Sequence, residues 1–156
     1  MTIKFVALDT EIVRALQRGG TDANDQVPQR AISGGGAIPC RHCLSPVGKA
    51  EEYLILAHRP FPCAQPYAES GPIFLHAREC DRAADSQLAA PMFQNGRAYI
   101  LRGYNNNDWI NYDAAEVVTP DRIEQTARRL LDRNDVAYVH MRSSQMNCYQ
   151  CRIERA

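Results

Sequence analysis

The sequence lacks an excess of charge of either sign, and it lacks any long hydrophobic run. Among its 156 residues, 18 are basic and 18 are acidic, so the formal net charge at pH 7 is zero. A protein that binds duplex nucleic acid needs a clear basic excess, so we expect no nucleic-acid partner. No apolar run approaches the roughly 18 residues of a membrane-spanning helix, and we expect no membrane association.

A secretory signal is also missing, because the N-terminal stretch MTIKFVALDTEIVRAL has no basic segment followed by an apolar one. We therefore expect a cytoplasmic protein. Thiols are kept reduced in that compartment, so the six cysteines are expected to be free. Metal binding or thiol chemistry then explains them better than a disulfide framework does.

Lysine is scarce, since only Lys4 and Lys49 are lysines among the 18 basic residues and the others are arginines. The planar guanidinium of arginine binds carboxylate and phosphate groups through paired hydrogen bonds, which makes a small anionic molecule a candidate partner. A compositional bias of the genome explains the same excess without a function. The sequence does not indicate an oligomeric state.

Length and composition predict one α+β domain over residues 1–156 with a mainly antiparallel sheet. The predicted element order is β-α-β-β-β-β-α-β-β. Runs rich in β-branched and aromatic residues predict strands at 3–9, 51–58, 71–77, 96–104, 109–118, 136–144 and 148–155.

Two helices are predicted from capping residues. Asp9 or Thr10 caps the first, and Thr119 caps the second with Pro120 at its first position. Between the first helix and the second strand, residues 19–39 contain five glycines and two prolines. This composition predicts a long mobile loop.

The stretch GGGAIPCRHCLSPV, residues 34–47, places Cys40, His42 and Cys43 within four positions. Two thiolates three residues apart on a tight turn can bind one tetrahedral zinc ion. A histidine inside such a pair is also typical of disulfide-exchange sites, but those sites open a helix, which the following LSPVGKA disfavours. The glycine run lacks the Lys-Ser/Thr of a phosphate loop and so indicates only flexibility.

Two other segments can supply the remaining metal ligands. Cys148 and Cys151 form a second C-x2-C pair, but residues three apart on a predicted strand point to opposite faces. His76 and Cys80 are four residues apart, which places both on one side of a strand or a helix. The predicted ligands are therefore Cys40, Cys43, His76 and Cys80, with Cys148 as an alternative to His76.

The predicted C-terminal hairpin gathers polar groups on one face. Strand alternation directs His140 and Arg142 away from the core. If residues 143–147 connect the two strands, Arg142 lies opposite Cys148 and His140 lies opposite Gln150. A guanidinium beside a thiol lowers the pKa of that thiol and favours the nucleophilic thiolate. The alternative is that His140 and Arg142 lie on a solvated sheet face and that Cys148 is a small buried residue without a chemical role.

Three blocks of the sequence, PCRHCL at 39–44, PYAESGPIFLHAREC at 66–80 and VAYVHMRSSQMNCYQCRIERA at 136–156, resemble a bacterial family known as domain of unknown function 1203. The resemblance implies no established activity. It singles out Cys40, Arg41, His42, Cys43, Gly71, Pro72, Phe74, Cys80, Arg102, Tyr104, His140, Arg142 and Cys148. In that family the position of Cys151 is usually not cysteine, which argues against the second pair as metal ligands.

These features predict a small-molecule enzyme with a polar pocket for a small anion, whose floor is the final hairpin and whose rim is the turn at 40–43. The reaction class is not predicted. The candidate catalytic residues are Cys40, His42, Cys43, His140 and Cys148, and the candidate substrate-binding residues are Arg102, Tyr104 and Arg142. The alternatives are a zinc-stabilised domain without catalysis and a protein-docking module.

Overall fold

Eight strands and two α-helices make up the fold, and the computed structural model describes all 156 residues. The strands are β1 Ile3–Val6, β2 Gln29–Ile32, β3 Glu52–His58, β4 Gly71–His76, β5 Tyr99–Tyr104, β6 Ile110–Val118, β7 Tyr138–Ser143 and β8 Tyr149–Arg155. The helices are α1 Thr10–Gln17 and α2 Ile123–Leu131. Every predicted element is present in the predicted order, which confirms the α+β class. The structure adds β2, which lies inside the segment predicted as a loop.

All pairs of these strands are antiparallel, and they form two sheets. The five-stranded sheet has the order β1-β8-β7-β5-β6, and the three-stranded sheet has the order β2-β3-β4. Neither helix combines the length and the apolar character that crossing a membrane requires.

One face of the five-stranded sheet packs against α2 and forms the larger core. Val139 and Met141 alternate along β7 onto this face, and both are fully buried. Leu130 and Leu131 of α2 belong to the same core. Burial of each such side chain contributes roughly 1.5–3 kcal/mol, so this face supplies a large share of the stability.

The opposite face of the same sheet carries aromatic and polar side chains, and the segment 59–70 covers it. The ring centroid of Phe61 lies 5.4 Å from that of Tyr104 and 5.3 Å from that of His140. Tyr138 stacks on Tyr104 at 5.1 Å. The alternation predicted for β7 is therefore correct, but its non-core face is enclosed by protein.

The register of the β7–β8 hairpin differs from the predicted one. Arg142 lies opposite Tyr149, and His140 lies opposite Arg152. Cys148 belongs to the turn before β8, so its predicted pairing with Arg142 was wrong, as was the predicted partner of His140. A bulge beside Arg142 inserts one extra residue into β8 and changes which residues face each other.

A second core joins α1 to the three-stranded sheet. Asp9 caps α1, because its carboxylate accepts a hydrogen bond from the Glu11 N–H at 2.8 Å. The helix then directs Val13 and Leu16 onto Leu75 and its neighbours in the sheet. This packing holds the end of β4 next to the turn that carries the first cysteine pair.

Local backbone conformation departs from the predictions at two places. Thr119 makes no capping hydrogen bond with its side chain, and Pro120 begins a short 3-10 turn that leads into α2. In the glycine run, Gly35 and Gly36 have φ angles of 94° and 101°. Side chains are strained in that region, so the run fixes the path of the chain.

Candidate functional site

Four of the predicted metal ligands come together beside the three-stranded sheet. The ligand atoms of Cys40, Cys43, His76 and Cys80 all lie within 4.8 Å of one another. His76 is the last residue of β4, and Cys80 follows in the irregular segment that leaves the strand. The other two ligands come from the turn at residues 39–46, which packs against β4.

The turn is fixed by its own backbone and by β4. Pro39 and Pro46 form a β-bridge across it, and the Leu44 N–H donates to the Cys40 carbonyl at 3.0 Å. Cys40 also forms a bridge with Phe74 of β4. This conformation brings thiols three residues apart to one side, which is the geometry that a C-x2-C metal site requires.

The distances within the group match tetrahedral coordination. Zinc bonds of about 2.3 Å to sulfur and about 2.0 Å to nitrogen place two sulfurs roughly 3.8 Å apart, and a sulfur and a nitrogen roughly 3.5 Å apart. The Sγ atoms of Cys40 and Cys80 are 3.9 Å apart, and Cys43 Sγ lies 3.5 Å from His76 Nδ1. These two distances fit one ion at the centre of the group, and all four ligand atoms lie within 4.8 Å of one another.

The three thiols share negative charge unequally. Hydrogen bonds from the thiols of Cys43 and Cys80 lower the pKa of Cys40, and the His76 N–H donates to the Cys40 sulfur at 3.4 Å. The same hydrogen bonds raise the pKa values of Cys43 and Cys80. Three thiolates this close together require a positive ion between them.

Polar groups outside the ligand set orient two of its members. His42 Nδ1 lies 3.2 Å from Cys80 Sγ, and His42 Nε2 lies 3.0 Å from Thr10 Oγ1. Burial lowers the pKa of His42, so the ring is neutral and donates from a single nitrogen. His76 directs Nε2 towards Glu51 Oε2 at 3.6 Å. A carboxylate behind a histidine ligand is the usual arrangement at zinc sites.

Two cavities lie on either side of Cys148. The larger has a volume of about 670 Å³ and extends from Arg41 across the hairpin turn to Tyr99. The smaller has a volume of about 210 Å³, and its wall includes His58 and Arg142. Cys148 lines both cavities and is partly exposed.

A family model described as "Protein of unknown function (DUF1203)" matches residues 37–155 of the chain. The chain belongs to this family. The match covers the three blocks that the sequence resemblance rested on. No curated protein and no solved structure matches the chain.

Eight of the positions singled out by the sequence resemblance fall into two separate groups. The first group is at the metal ligands and consists of Cys40, His42, Cys43 and Cys80. The second group is on the covered face of the five-stranded sheet and consists of Arg102, Tyr104, His140 and Arg142. The two groups do not line one common cavity. The catalytic and substrate-binding roles assigned to them from the sequence stay predictions.

The second group is held by a network around one carboxylate. Arg102 and Arg142 both form ion pairs with Glu69, and Arg142 Nη2 lies 3.3 Å from Glu69 Oε1. Arg102 also donates from Nε to the Tyr104 hydroxyl at 2.8 Å. His140 is 1% exposed, and burial together with the neighbouring arginines lowers its pKa well below the usual value. His140 is therefore neutral.

The second C-x2-C pair does not join the metal group. Cys151 lies opposite Met141 in the larger core, where burial raises its pKa to about 12. Cys148 points to the cavities. All six cysteines are free thiols, and the group that could hold a metal ion contains His76 and not Cys148.

Several residues at these sites were not assigned a role from the sequence. They are Glu51, His58 and Glu69, and Arg41, which was noted only as a family position. Glu69 lies inside the PYAES block and Arg41 lies between the two cysteines of the turn, so the family blocks contained the signal for both. Glu51 and His58 lie outside the blocks; His58 is the last residue of β3, paired with Gly71 of β4, and Glu51 directly precedes β3.

Proposed function

We propose that this DUF1203 protein binds one zinc ion through Cys40, Cys43, His76 and Cys80, and that the ion stabilises the fold. The observation that carries the proposal is the spacing of the ligand atoms, 3.9 Å between two sulfurs and 3.5 Å between a sulfur and a nitrogen. Both distances are close to those between neighbouring ligand atoms of a tetrahedral zinc ion.

The chemistry of the donor set supports zinc over other ions. Three thiolates and one imidazole are soft and intermediate ligands, which suit zinc and exclude magnesium or calcium as the resident ion. No carboxylate belongs to the ligand group. Glu51 stands behind His76 and supports its orientation from outside the coordination sphere.

The arrangement supports a structural role, because the protein fills all four positions of a tetrahedral ion. Catalytic zinc sites leave one position to water or substrate. The ligands also come from segments that share few regular hydrogen bonds: a turn, the end of β4 and the irregular chain after it. Arg14 of α1 donates to the Cys80 carbonyl at 2.7 Å, and this hydrogen bond connects the ligand segments to the helix.

This proposal changes the roles predicted for the turn. A thiolate that binds a structural metal is not a free nucleophile, so Cys40 and Cys43 are ligands and not catalytic groups. His42 becomes a donor to the Cys80 sulfur. The predicted roles of His140 and Cys148 in an enzyme do not depend on the metal and are separate from this proposal.

The metal content of protein purified without a chelator or a polyhistidine tag tests the proposal. We expect about one zinc per chain, and removal of the metal by a strong chelator is expected to lower the melting temperature, since metal affinity contributes to folding free energy. Protein that contains no zinc, and whose melting temperature does not respond to added zinc, would contradict the proposal.

A further inference from the structure

Two buried guanidinium groups hold the backbone on either side of Cys148. Arg41 is 1% exposed and donates from Nε to the Tyr149 carbonyl at 2.7 Å. Arg142 is 4% exposed and donates from Nη1 to the Asn147 carbonyl at 3.2 Å. The peptide of Cys148 thus lies between two cations that are almost wholly removed from water.

The carboxylates nearby do not balance these charges. The hydrogen bonds of Arg41 go only to main-chain carbonyls, and burial lowers its pKa only to about 10, so it stays charged. Arg142 shares Glu69 with Arg102, which leaves two cations on one carboxylate. Burial of an unbalanced charge is costly, so a site of this kind favours an anion.

The smaller cavity also contains unused hydrogen-bond donors. Nε of Arg142 and Nε2 of His58 are buried and have no hydrogen-bond partner, and Nη2 of Arg142 makes no hydrogen bond although it lies 3.3 Å from Glu69 Oε1. Both residues line the cavity of about 210 Å³ beside Cys148. Buried polar groups in folded proteins are normally paired, so the absence of partners in one enclosed space indicates a ligand that accepts hydrogen bonds.

We propose that this cavity binds a small oxyanion, the carboxylate or phosphate group of a small molecule, through Arg142 and His58 next to Cys148. Nε of Arg142 has no partner and Nη2 meets only Glu69, so once that ion pair opens the two nitrogens form the edge that binds two oxygens of such a group at once. Burial and the two guanidiniums lower the pKa of His58 to about 4, so its neutral ring can donate one further hydrogen bond.

The size of the cavity and the position of Glu69 define what it accepts. At about 30 Å³ for each water molecule, 210 Å³ has room for one oxyanion and a few atoms attached to it, but not for a nucleotide. The Glu69 side chain is 40% exposed at the wall of the cavity. A bound oxyanion would take Arg142 from Glu69 and leave that carboxylate to Arg102.

Protection of Cys148 from alkylation tests the site on the complete, metal-containing protein. Peptide mass spectrometry gives the rate at which iodoacetamide modifies Cys148, with the exposed Cys63 as a reference on the same chain. The probes are inorganic phosphate and acetate, each compared with sodium chloride at equal ionic strength. With a dissociation constant on the order of 1 mM, about 10 mM of a binding anion is expected to slow the modification of Cys148 roughly tenfold.

The pattern of protection decides between ligand classes. Protection by phosphate alone supports a phosphate-bearing ligand, and protection by acetate alone supports a carboxylate. Equal slowing by chloride, slowing of Cys63 as well, or no slowing by either oxyanion would overturn the proposal.

Substitutions assign the effect to the cavity. Arg142→Gln is expected to abolish the protection, and Arg122→Gln, which removes the same charge from an exposed residue outside both cavities, is expected to retain it. Glu69→Gln removes the competing carboxylate and is expected to strengthen protection, which keeps the test decisive if Arg142→Gln does not fold. Protection that survives in Arg142→Gln, or that does not increase in Glu69→Gln, would contradict the site.

Discussion

The chain contains two C-x2-C pairs with the same spacing, and the fold places them in opposite environments. Cys40 and Cys43 lie on a closed turn and point into a group of three thiols and one imidazole. Cys148 and Cys151 lie at the start of a strand and point in different directions, one to the cavities and one to the core. The first environment favours a cation, and the second, between buried guanidiniums, favours an anion.

This difference shows that backbone conformation, and not spacing, decides whether two cysteines form a metal site. The left-handed residue Leu44, with φ of 50°, closes the first turn after Cys43 and lets both thiols converge. The second pair enters a strand, where alternation separates Cys151 from Cys148. Four predictions test the contrast.

Replacing one cysteine of each pair is expected to give the largest difference in zinc content and melting temperature. Cys43→Ser should lose zinc and unfold at a melting temperature roughly 10 °C lower, since loss of a structural ion costs at least about 3 kcal/mol in a chain of this size. Cys148→Ser, the matched control, should retain zinc and the melting temperature of the parent. Metal analysis gives the zinc content of each variant, and calorimetry gives its melting temperature. Equal zinc content in the two variants would show that the two cysteine pairs do not differ in metal binding.

Cys151→Ser is expected to destabilise the protein without affecting the metal. Cys151 is 1% exposed in the larger core, and a hydroxyl there has no partner, which costs about 1–3 kcal/mol. The same substitution at Cys148 should change the free energy of unfolding by less than about 0.5 kcal/mol. Urea titration with excess zinc measures the two values, and a reduced zinc content in Cys151→Ser would show that the second pair contributes ligands.

Glu51→Gln is expected to weaken zinc binding by roughly tenfold, about 1.4 kcal/mol, because the carboxylate orients the His76 ring. Glu52→Gln is the control, since Glu52 directly follows Glu51 and its carboxylate pairs with Arg30 and not with a metal ligand. Competition with a chromophoric chelator gives both affinities. Identical zinc affinities in the two variants would show that Glu51 does not support zinc binding.

The pH dependence of stability is expected to report the positive environment of the second pair. The folded-state pKa of His58 is lowered to about 4 by burial and by Arg41 and Arg142, whereas an unfolded histidine titrates near 6.5. The unfolded state therefore binds more protons below pH 6.5. As the pH is lowered from roughly 6.5 to 4, the free energy of unfolding falls by up to about 1.4 kcal/mol per pH unit.

His58→Gln is expected to make that slope shallower, because glutamine takes up no proton. Urea titrations of the parent and the variant at several pH values, with excess zinc, isolate the contribution of this side chain. Parallel slopes would show that His58 does not lie in a positive environment.

The fold was largely predictable from the sequence, because strand patterns and helix caps are local. Alternation along β7 and the cap at Asp9 needed no tertiary information. The metal group was predictable in its residues, since only His76 and Cys80 share one side at the required spacing. The register of the last hairpin was not predictable, because the bulge beside Arg142 depends on the turn and on packing against both faces.

The buried arginines were harder to predict than the cysteines. Arg41 and Arg142 are in regions that read as an exposed turn and an exposed sheet face, and long charged side chains are seldom buried. They are buried because the segment 59–70 and the turn at 39–46 cover the face of the five-stranded sheet that lies opposite α2. Neither segment has a periodic pattern that shows what it covers.

X-ray absorption at the zinc edge of protein purified without a chelator tests the central claim most directly. We expect three sulfur ligands at about 2.3 Å and one nitrogen at about 2.0 Å, with no water ligand. That result would identify the turn, His76 and Cys80 as the metal site. A shell of four sulfurs, which would require Cys63 or a cysteine from the second pair, or a shell dominated by oxygen would contradict it.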